Sequence, residues 1–282
     1  MRMDLCPCCG TNNFSKWYEN IDVDKIISWK DFFYGSSRYI KDIYSCDKCG
    51  YKFIDELEED FERHYISQDT EDNEGLDGFR LSYFRKIKSR FDMLFPGMNE
   101  GKKVLDIGCA RGIWLDCWRG SNELFGSEYS TEHINTLEKK RITVLTDEDV
   151  SRNTFDVVSL FDVLEHISDP YKFLQKLKAS LNSGGVLIVS VPDMGKLIAK
   201  LMKSNYYLVC PMHFSYFDKV SLSMIMERVF EGEIYIEKSP IMNVDLRGIS
   251  RWINFIPNIP DILNFKAPIP YRASLIAYIK VK

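Results

Sequence analysis

From Lys102 onward, short apolar runs alternate with amphipathic stretches, and no other feature narrows the possible folds as far. Residues 104–107 read as a strand running into the glycine turn Gly108-Cys109-Ala110-Arg111-Gly112, and residues 113–118 read as the start of a helix. Residues 124–126, 143–145, 155–160 and 186–191 read as further strands. Residues 131–140, 171–181 and 221–230 read as helices, with Asn182-Ser183-Gly184-Gly185 closing the second of these. Residues 234–237 and 275–281 read as closing strands. Strands alternating with helices predict an α/β fold with a parallel sheet covered on both faces.

Upstream the texture differs. Residues 1–54 carry two cysteine pairs among aromatic and β-branched residues. Residues 55–78 are strongly acidic, with ten Asp or Glu from Asp55 to Glu74 against Arg63, and read as a solvated connector. Residues 79–99 predict a helix: Phe79, Tyr83, Phe84, Ile87, Phe91 and Leu94 recur at helical spacing before Pro96-Gly97. The expected organisation is therefore a small cysteine-containing module over 1–54, a connector and helix over 55–99, and an α/β domain over 100–282.

A net charge of -4 means that the chain as a whole is not an electrostatic nucleic-acid binder, so a nucleic-acid partner is not expected unless through a local basic patch. No apolar run approaches bilayer length, and Met1–Cys6 holds no apolar signal core, so a cytoplasmic location is expected. Eight cysteines in that setting read as thiols or metal ligands rather than disulfides.

A strand, then Asp106-x-Gly108-x-Ala110-x-Gly112, then a helix is a nucleotide-binding arrangement. Glycine lets the backbone approach a ligand, and the helix N-terminus offers free N–H groups. The spacing does not fit Gly-x-Gly-x-x-Gly and lacks Gly-Lys-Ser/Thr, which disfavours a dinucleotide and a triphosphate. Glu128, with Tyr129 after it, stands at the tip of the second strand, where an acid can accept both ribose hydroxyls.

With these residues in place the chain resembles the class I S-adenosylmethionine (SAM)-dependent methyltransferases. Residues 106–112 resemble their first motif, and Phe155-Asp156-Val157-Val158-Ser159-Leu160-Phe161-Asp162-Val163-Leu164-Glu165-His166 their fourth-strand motif. Residues 181–193 resemble the helix–turn–strand that follows, and the likeness spans about residues 100–232. It implies a Rossmann-like sheet and SAM as cofactor. Asp106 would orient the methionine ammonium through the loop, and the backbone of Gly108, Cys109, Ala110 and Gly112 would lie against the cofactor. Glu128 would hold the ribose and Asp147 would meet the adenine amino group, with Asp149 as rival. Phe161 and Asp162 would close over the methionine side. Ala110 stands where the family usually has glycine, and alanine keeps the turn provided its φ stays negative.

Methyl transfer to a hydroxyl needs a base, and histidine suits neutral pH. Of four histidines, His166 follows the fourth strand and His213 precedes the last helix. Either is a candidate base, while the alternatives are a loop-fixing His166 and a His213 packed under a lid. His64 and His133 read as surface residues.

Cys6-Pro7-Cys8-Cys9-Gly10 and Cys46-Asp47-Lys48-Cys49-Gly50 each contain Cys-x-x-Cys-Gly. Cys6, Cys9, Cys46 and Cys49 are expected to hold a structural zinc in a ribbon-like module, with Cys8 as rival for Cys9. Some bacterial sugar methyltransferases are similar in carrying such a module. Cys109, Cys117 and Cys210 read as buried thiols. Residues 241–274 form an insert before the last strand and include Arg247, Arg251, Trp252, Phe255 and Arg272. The insert reads as a cap for an anionic acceptor, or as a solvated extension or homodimer contact. The functional expectation is methylation of a small molecule or saccharide, O-methylation first. The rivals are an RNA or protein acceptor bound through the zinc ribbon, and a SAM-binding scaffold without catalysis.

Overall fold

The computed structural model describes residues 4–18, 21–22, 39–40, 42–54, 77–202, 209, 213–240, 242–245, 266–271 and 274–282. Residues 55–76 of the acidic connector with His64, Cys210, and Arg247, Arg251, Trp252, Phe255 and Arg272 of the insert lie outside them.

The N-terminal strands are β1 (Phe14–Tyr18), β2 (Ile21–Asp22), β3 (Tyr39–Ile40), β4 (Ile43–Cys46) and β5 (Lys52–Ile54). Helix α1 (Asp77–Leu94) follows, and Gly97 at φ +87° comes just after its end. Then come β6 (Lys103–Ile107), β7 (Glu123–Ser127), α2 (Thr131–Lys139), β8 (Thr143–Val144), α3 (Asp147–Arg152), β9 (Phe155–Phe161), α4 (Pro170–Lys178) and β10 (Leu181–Pro192). The chain continues through α5 (Leu197–Met202), β11 (Ser215–Tyr216), α6 (Lys219–Val229), β12 (Gly232–Lys238), β13 (Met242–Asp245), β14 (Lys266–Tyr271) and β15 (Ser274–Val281).

The main sheet has the order β12-β15-β10-β9-β6-β7-β8. Strands β6 to β10 run parallel, and β15 is antiparallel to both β10 and β12. The expected Rossmann-like α/β class is the observed one. Alternation along β10 explains its two buried faces. Val186 and Ile188 join the core under α1 with Trp114 and Trp118, while Leu187, Val189 and Val191 join the core under α4 and α6. That second core also contains Cys6, Cys8, Cys46, Cys49, Tyr51 and Phe53, so the cysteine module is packed into the same interior.

Two elements differ from the sequence reading. Residues 113–118 make only a 3-10 turn, Leu115–Trp118. Arg119 leaves at ψ 151°, Gly120 sits at φ +129°, and the Asn122 amide takes the Trp118 carbonyl at 2.8 Å, so the helix cannot extend. Asn182-Ser183-Gly184-Gly185 is not a helix cap but part of β10, with a register irregularity against β9 between Leu181 and Val186.

Strand order reverses at β6, which has β7 on one side and β9 on the other. The crevice outside the carboxyl ends of β6 and β9 is the topological switch point, where open α/β sheets bind ligands.

Candidate active site

The loop after β6 hangs on the end of β7. The N–H groups of Gly108 and Cys109 donate to the Ser127 carbonyl at 2.9 and 3.2 Å, and the Gly112 N–H donates to the Cys109 carbonyl at 2.8 Å. Gly108 has φ +67° and Gly112 φ +70°. A Cβ on Gly108 would stand 2.7 Å from Val163 Cγ2, and one on Gly112 would stand 2.8 Å from Leu137 and Ile142. The tightness at Gly112 thus comes from packing on Leu137 of α2 and on Ile142 just before β8. Ala110 has φ +44°, so it adopts the left-handed conformation rather than the negative φ that would keep its turn without strain. The Cys109 thiol is buried toward Gly126, and burial pushes its ionisation up. Arg111 pairs with Asp77 at the start of α1 at 2.9 Å.

The Glu128 carboxylate braces this loop. Its Oε2 accepts the Ala110 N–H at 2.8 Å, and its Oε1 accepts those of Tyr129 and Ser130 at 2.8 and 3.0 Å. A carboxylate has about four acceptor positions, so one remains for a ligand hydroxyl. The Tyr129 hydroxyl donates to Asp147 at 2.8 Å on the exposed rim. Asp149 is committed elsewhere: it accepts from the Thr146 N–H and hydroxyl in the capping box that starts α3. His133 is 8% exposed, with Nδ1 3.8 Å from Glu128, and so is not the surface residue expected. Capping of α2 by Ser130 puts His133 and Leu137 on its buried face.

Asp106 lies at the centre, 3% exposed, and accepts the Ser159 hydroxyl at 2.6 Å. Burial raises its carboxyl to about 7; the Ser159 hydrogen bond opposes the rise and the nearby Glu128 charge adds to it. Across the switch point, Phe161 meets Phe84 and Trp114 edge-on, with centroids 4.9 and 5.0 Å away. Asp162 is held at φ +55°, its N–H donating to the Ser190 carbonyl and its Oδ1 accepting the Ser190 hydroxyl at 3.0 Å. Backbone strain of this kind concentrates at functional sites. His166 and His213 come together from segments 47 residues apart in sequence, ring centroids 4.8 Å apart at 73°. Ligand atoms of Glu165, His166 and His213 lie within 4.8 Å of one another, a spacing that also suits a divalent cation.

Residues 79–229, more than half of the chain, match a family model described as a methyltransferase domain. The chain belongs to the class I SAM-dependent methyltransferases. It is 28% identical over 184 residues to a ubiquinone biosynthesis O-methyltransferase of Actinobacillus pleuropneumoniae, covering 60% of this chain and 70% of that protein. It is 38% identical over 114 residues to a tRNA U34 carboxymethyltransferase of Campylobacter jejuni, covering 36% of this chain and 39% of that one. A structure of the plantazolicin methyltransferase BpumL with S-adenosylhomocysteine (SAH) and a triazolic analogue shares the fold. Its TM-score is 0.52 at 18% identity, covering 78% of this chain and 92% of that one.

The methyltransferase crevice fits the cofactor of its family. Its floor is backbone, a buried carboxyl stands beneath it, and Glu128 keeps acceptor capacity on Oε2. Sequence reasoning passed over Phe84, Trp114, Glu165 and His133. The apolar period of α1 contained Phe84, and the Ser130 cap could have oriented His133. Nothing in the sequence pointed Glu165 at His213.

The cysteine module offers a second site. The Sγ atoms of Cys6, Cys9, Cys46 and Cys49 all lie within 4.8 Å of one another, with Cys6–Cys49 at 3.7 Å and Cys9–Cys46 at 3.5 Å. Tetrahedral zinc with Zn–S of about 2.3 Å sets sulfurs about 3.8 Å apart, so the group fits that ion. Gly10 and Gly50 close matching turns onto the Cys6 and Cys46 carbonyls. The Cys8 thiol turns away and donates to the Ser221 carbonyl at 3.2 Å. The Cys49 sulfur and burial push the Cys6 thiol up, and a bound cation would reverse that. Among the described residues, no helix is long and apolar enough to cross a membrane.

Proposed function

We propose that this methyltransferase modifies a hydroxyl of a small molecule or saccharide, with the His166–His213 pair receiving the proton. The observation that carries this reading is the pair itself, set at 4.8 Å beside the switch-point crevice. SAM supplies an activated methyl group on its sulfonium. The chain supplies binding, alignment, water exclusion and a place for the proton. Asp106 and the 108–112 backbone seat the methionine end, Glu128 takes a ribose hydroxyl, and Tyr129 with Asp147 borders the adenine. Phe84, Phe161 and Trp114 keep water from the methyl. His213, 8% exposed, is the better-shielded member of the pair, and His166 is more accessible. The four cysteines hold structural zinc and serve the fold.

The test is a panel of hydroxylated aromatics, free sugars and nucleotide-linked sugars, assayed by methyl transfer from labelled SAM. Turnover on a member of the panel, lost in His213→Ala or His166→Ala with SAH affinity retained, is the expected result. Full turnover in both variants would remove the histidines from the reaction. The likeness to a tRNA-modifying relative supports a second reading, with RNA as acceptor. RNA binding that weakens steeply with salt would favour it.

A further inference from the structure

Strand β11 is the fourth strand of the cysteine module's sheet, in the order β1-β4-β5-β11, although it lies more than 160 residues downstream of β5. It pairs antiparallel with β5, Ser215 opposite Phe53, and the Ile54 N–H donates to the Phe214 carbonyl at 3.1 Å. His213 stands two residues before Ser215. The same short segment grips the other histidine's loop from both sides. The Phe214 N–H donates to the Glu165 carbonyl at 2.8 Å, and the Ser215 hydroxyl donates to the Ile167 carbonyl at 2.9 Å. His166 lies between those two carbonyls.

Tyr51 completes the connection. It is fully buried, two residues after Cys49, and its hydroxyl lies 2.5 Å from Ser215 Oγ. A serine hydroxyl has one hydrogen, here given to Ile167, so the Tyr51 O–H is the donor and Ser215 Oγ the acceptor. The Tyr51 ring stacks on Phe53 at 5.8 Å and leans on Phe217 at 5.0 Å, which leaves the hydroxyl little choice of direction.

We propose that the Tyr51–Ser215 hydroxyl pair is a positioning device that transmits the placement of the four-cysteine module to His166 and His213. It rests on reading those histidines as acceptor-side groups. Removing Tyr51's hydroxyl loses one link. Removing Ser215's leaves the buried Tyr51 hydroxyl and the part-buried Ile167 carbonyl without this partner, so the second change is the more damaging.

The test reads geometry without needing the acceptor. Imidazole signals of the full-length, cofactor-free protein are followed by NMR, assigned through single His→Gln variants, in Tyr51→Phe, Ser215→Ala and Ser215→Thr. The signals of His166 and His213 are expected to shift in Tyr51→Phe and further in Ser215→Ala. They should return toward wild type in Ser215→Thr, while the His133 signal and SAH affinity by calorimetry stay unchanged. Tyr51→Phe keeps the ring and its packing, so it reports even where Ser215→Ala does not fold. Unmoved His166 and His213 signals in folded Tyr51→Phe would overturn the proposal. So would movement of all three histidine signals together. If the signals move as expected but His213→Ala retains turnover, the positioning stands and the histidine's role as base fails.

Discussion

The two halves of the crevice are built by different means. The half we propose for the cofactor is local: Asp106, the 108–112 loop and Glu128 fall within 23 residues of chain and are joined chiefly through backbone N–H groups. The half we propose for the acceptor is assembled. His166 comes from the 3-10 turn after β9, His213 from the approach to β11, and the register between them from a strand of the cysteine module. A local site tolerates change elsewhere, whereas an assembled site inherits every weakness of the parts that hold it. Changes on the acceptor side should therefore spare cofactor binding.

The sharpest way to break this contrast is at the histidines. Loss of a general base costs about 10²–10⁴-fold in rate. His213→Ala is expected to lose that much turnover with SAH affinity unchanged, and a parallel loss of affinity would join the two halves after all. Next is the cysteine cluster. Cys49→Ser or prolonged chelation should release the metal and lower thermal stability by a margin of about 2–5 kcal/mol, as losing a buried cross-link does. Elemental analysis and calorimetric unfolding check it. Absence of zinc in freshly purified protein would leave the module's packing, not an ion, as the support of the acceptor side.

On the cofactor side the effects are smaller. Glu128→Gln keeps one acceptor oxygen, sets an NH2 donor against at least one of the three backbone N–H groups and removes the charge, and charge-assisted hydrogen bonds contribute about 1.5–3 kcal/mol. SAH affinity should fall about tenfold or more. Asp106 adds a pH signature. Its carboxyl sits at about 7, above the ordinary carboxylate value. In the cofactor-free protein its contribution to stability is present in acid and is lost as pH rises through 7. A cationic ligand nearby favours the carboxylate, so cofactor affinity should rise from pH 6 to pH 8 and then level. Asp106→Asn should flatten that rise, and calorimetry in buffers of different ionisation heat would read the released proton.

The same contrast explains what the sequence disclosed. The glycine spacing, the acid at the strand tip and the strand alternation are local patterns, and they led to the sheet and to the loop we propose for the cofactor. The four cysteines were legible because metal-binding turns recur in sequence with their glycines. The partnership of His166 with His213 depends on a β5–β11 pairing that no period reveals. The helix misplaced at 113–118 failed for a local reason, the Asn122 side chain competing for a carbonyl from outside the window. His133 failed because an exposed-looking pattern hid a buried helix face.

Ala110 offers the smallest effect and the finest discrimination. At φ +44° an L-residue pays about 1–2 kcal/mol relative to the right-handed region, and glycine avoids most of this. Ala110→Gly adds conformational freedom to the unfolded chain, which returns up to about 1 kcal/mol of the gain. The expected net is a stabilisation of under about 1 kcal/mol, a rise of roughly 2–4 °C or less in Tm for a domain this size. Gly112→Ala should do the reverse and more strongly, since it combines φ +70° with contacts of 2.8 Å to Leu137 and Ile142. The Ala110 N–H to Glu128 survives the glycine substitution, so SAH affinity should hold or rise. If affinity falls instead, the alanine methyl touches the ligand, and its strained backbone is retained for binding rather than tolerated by the loop.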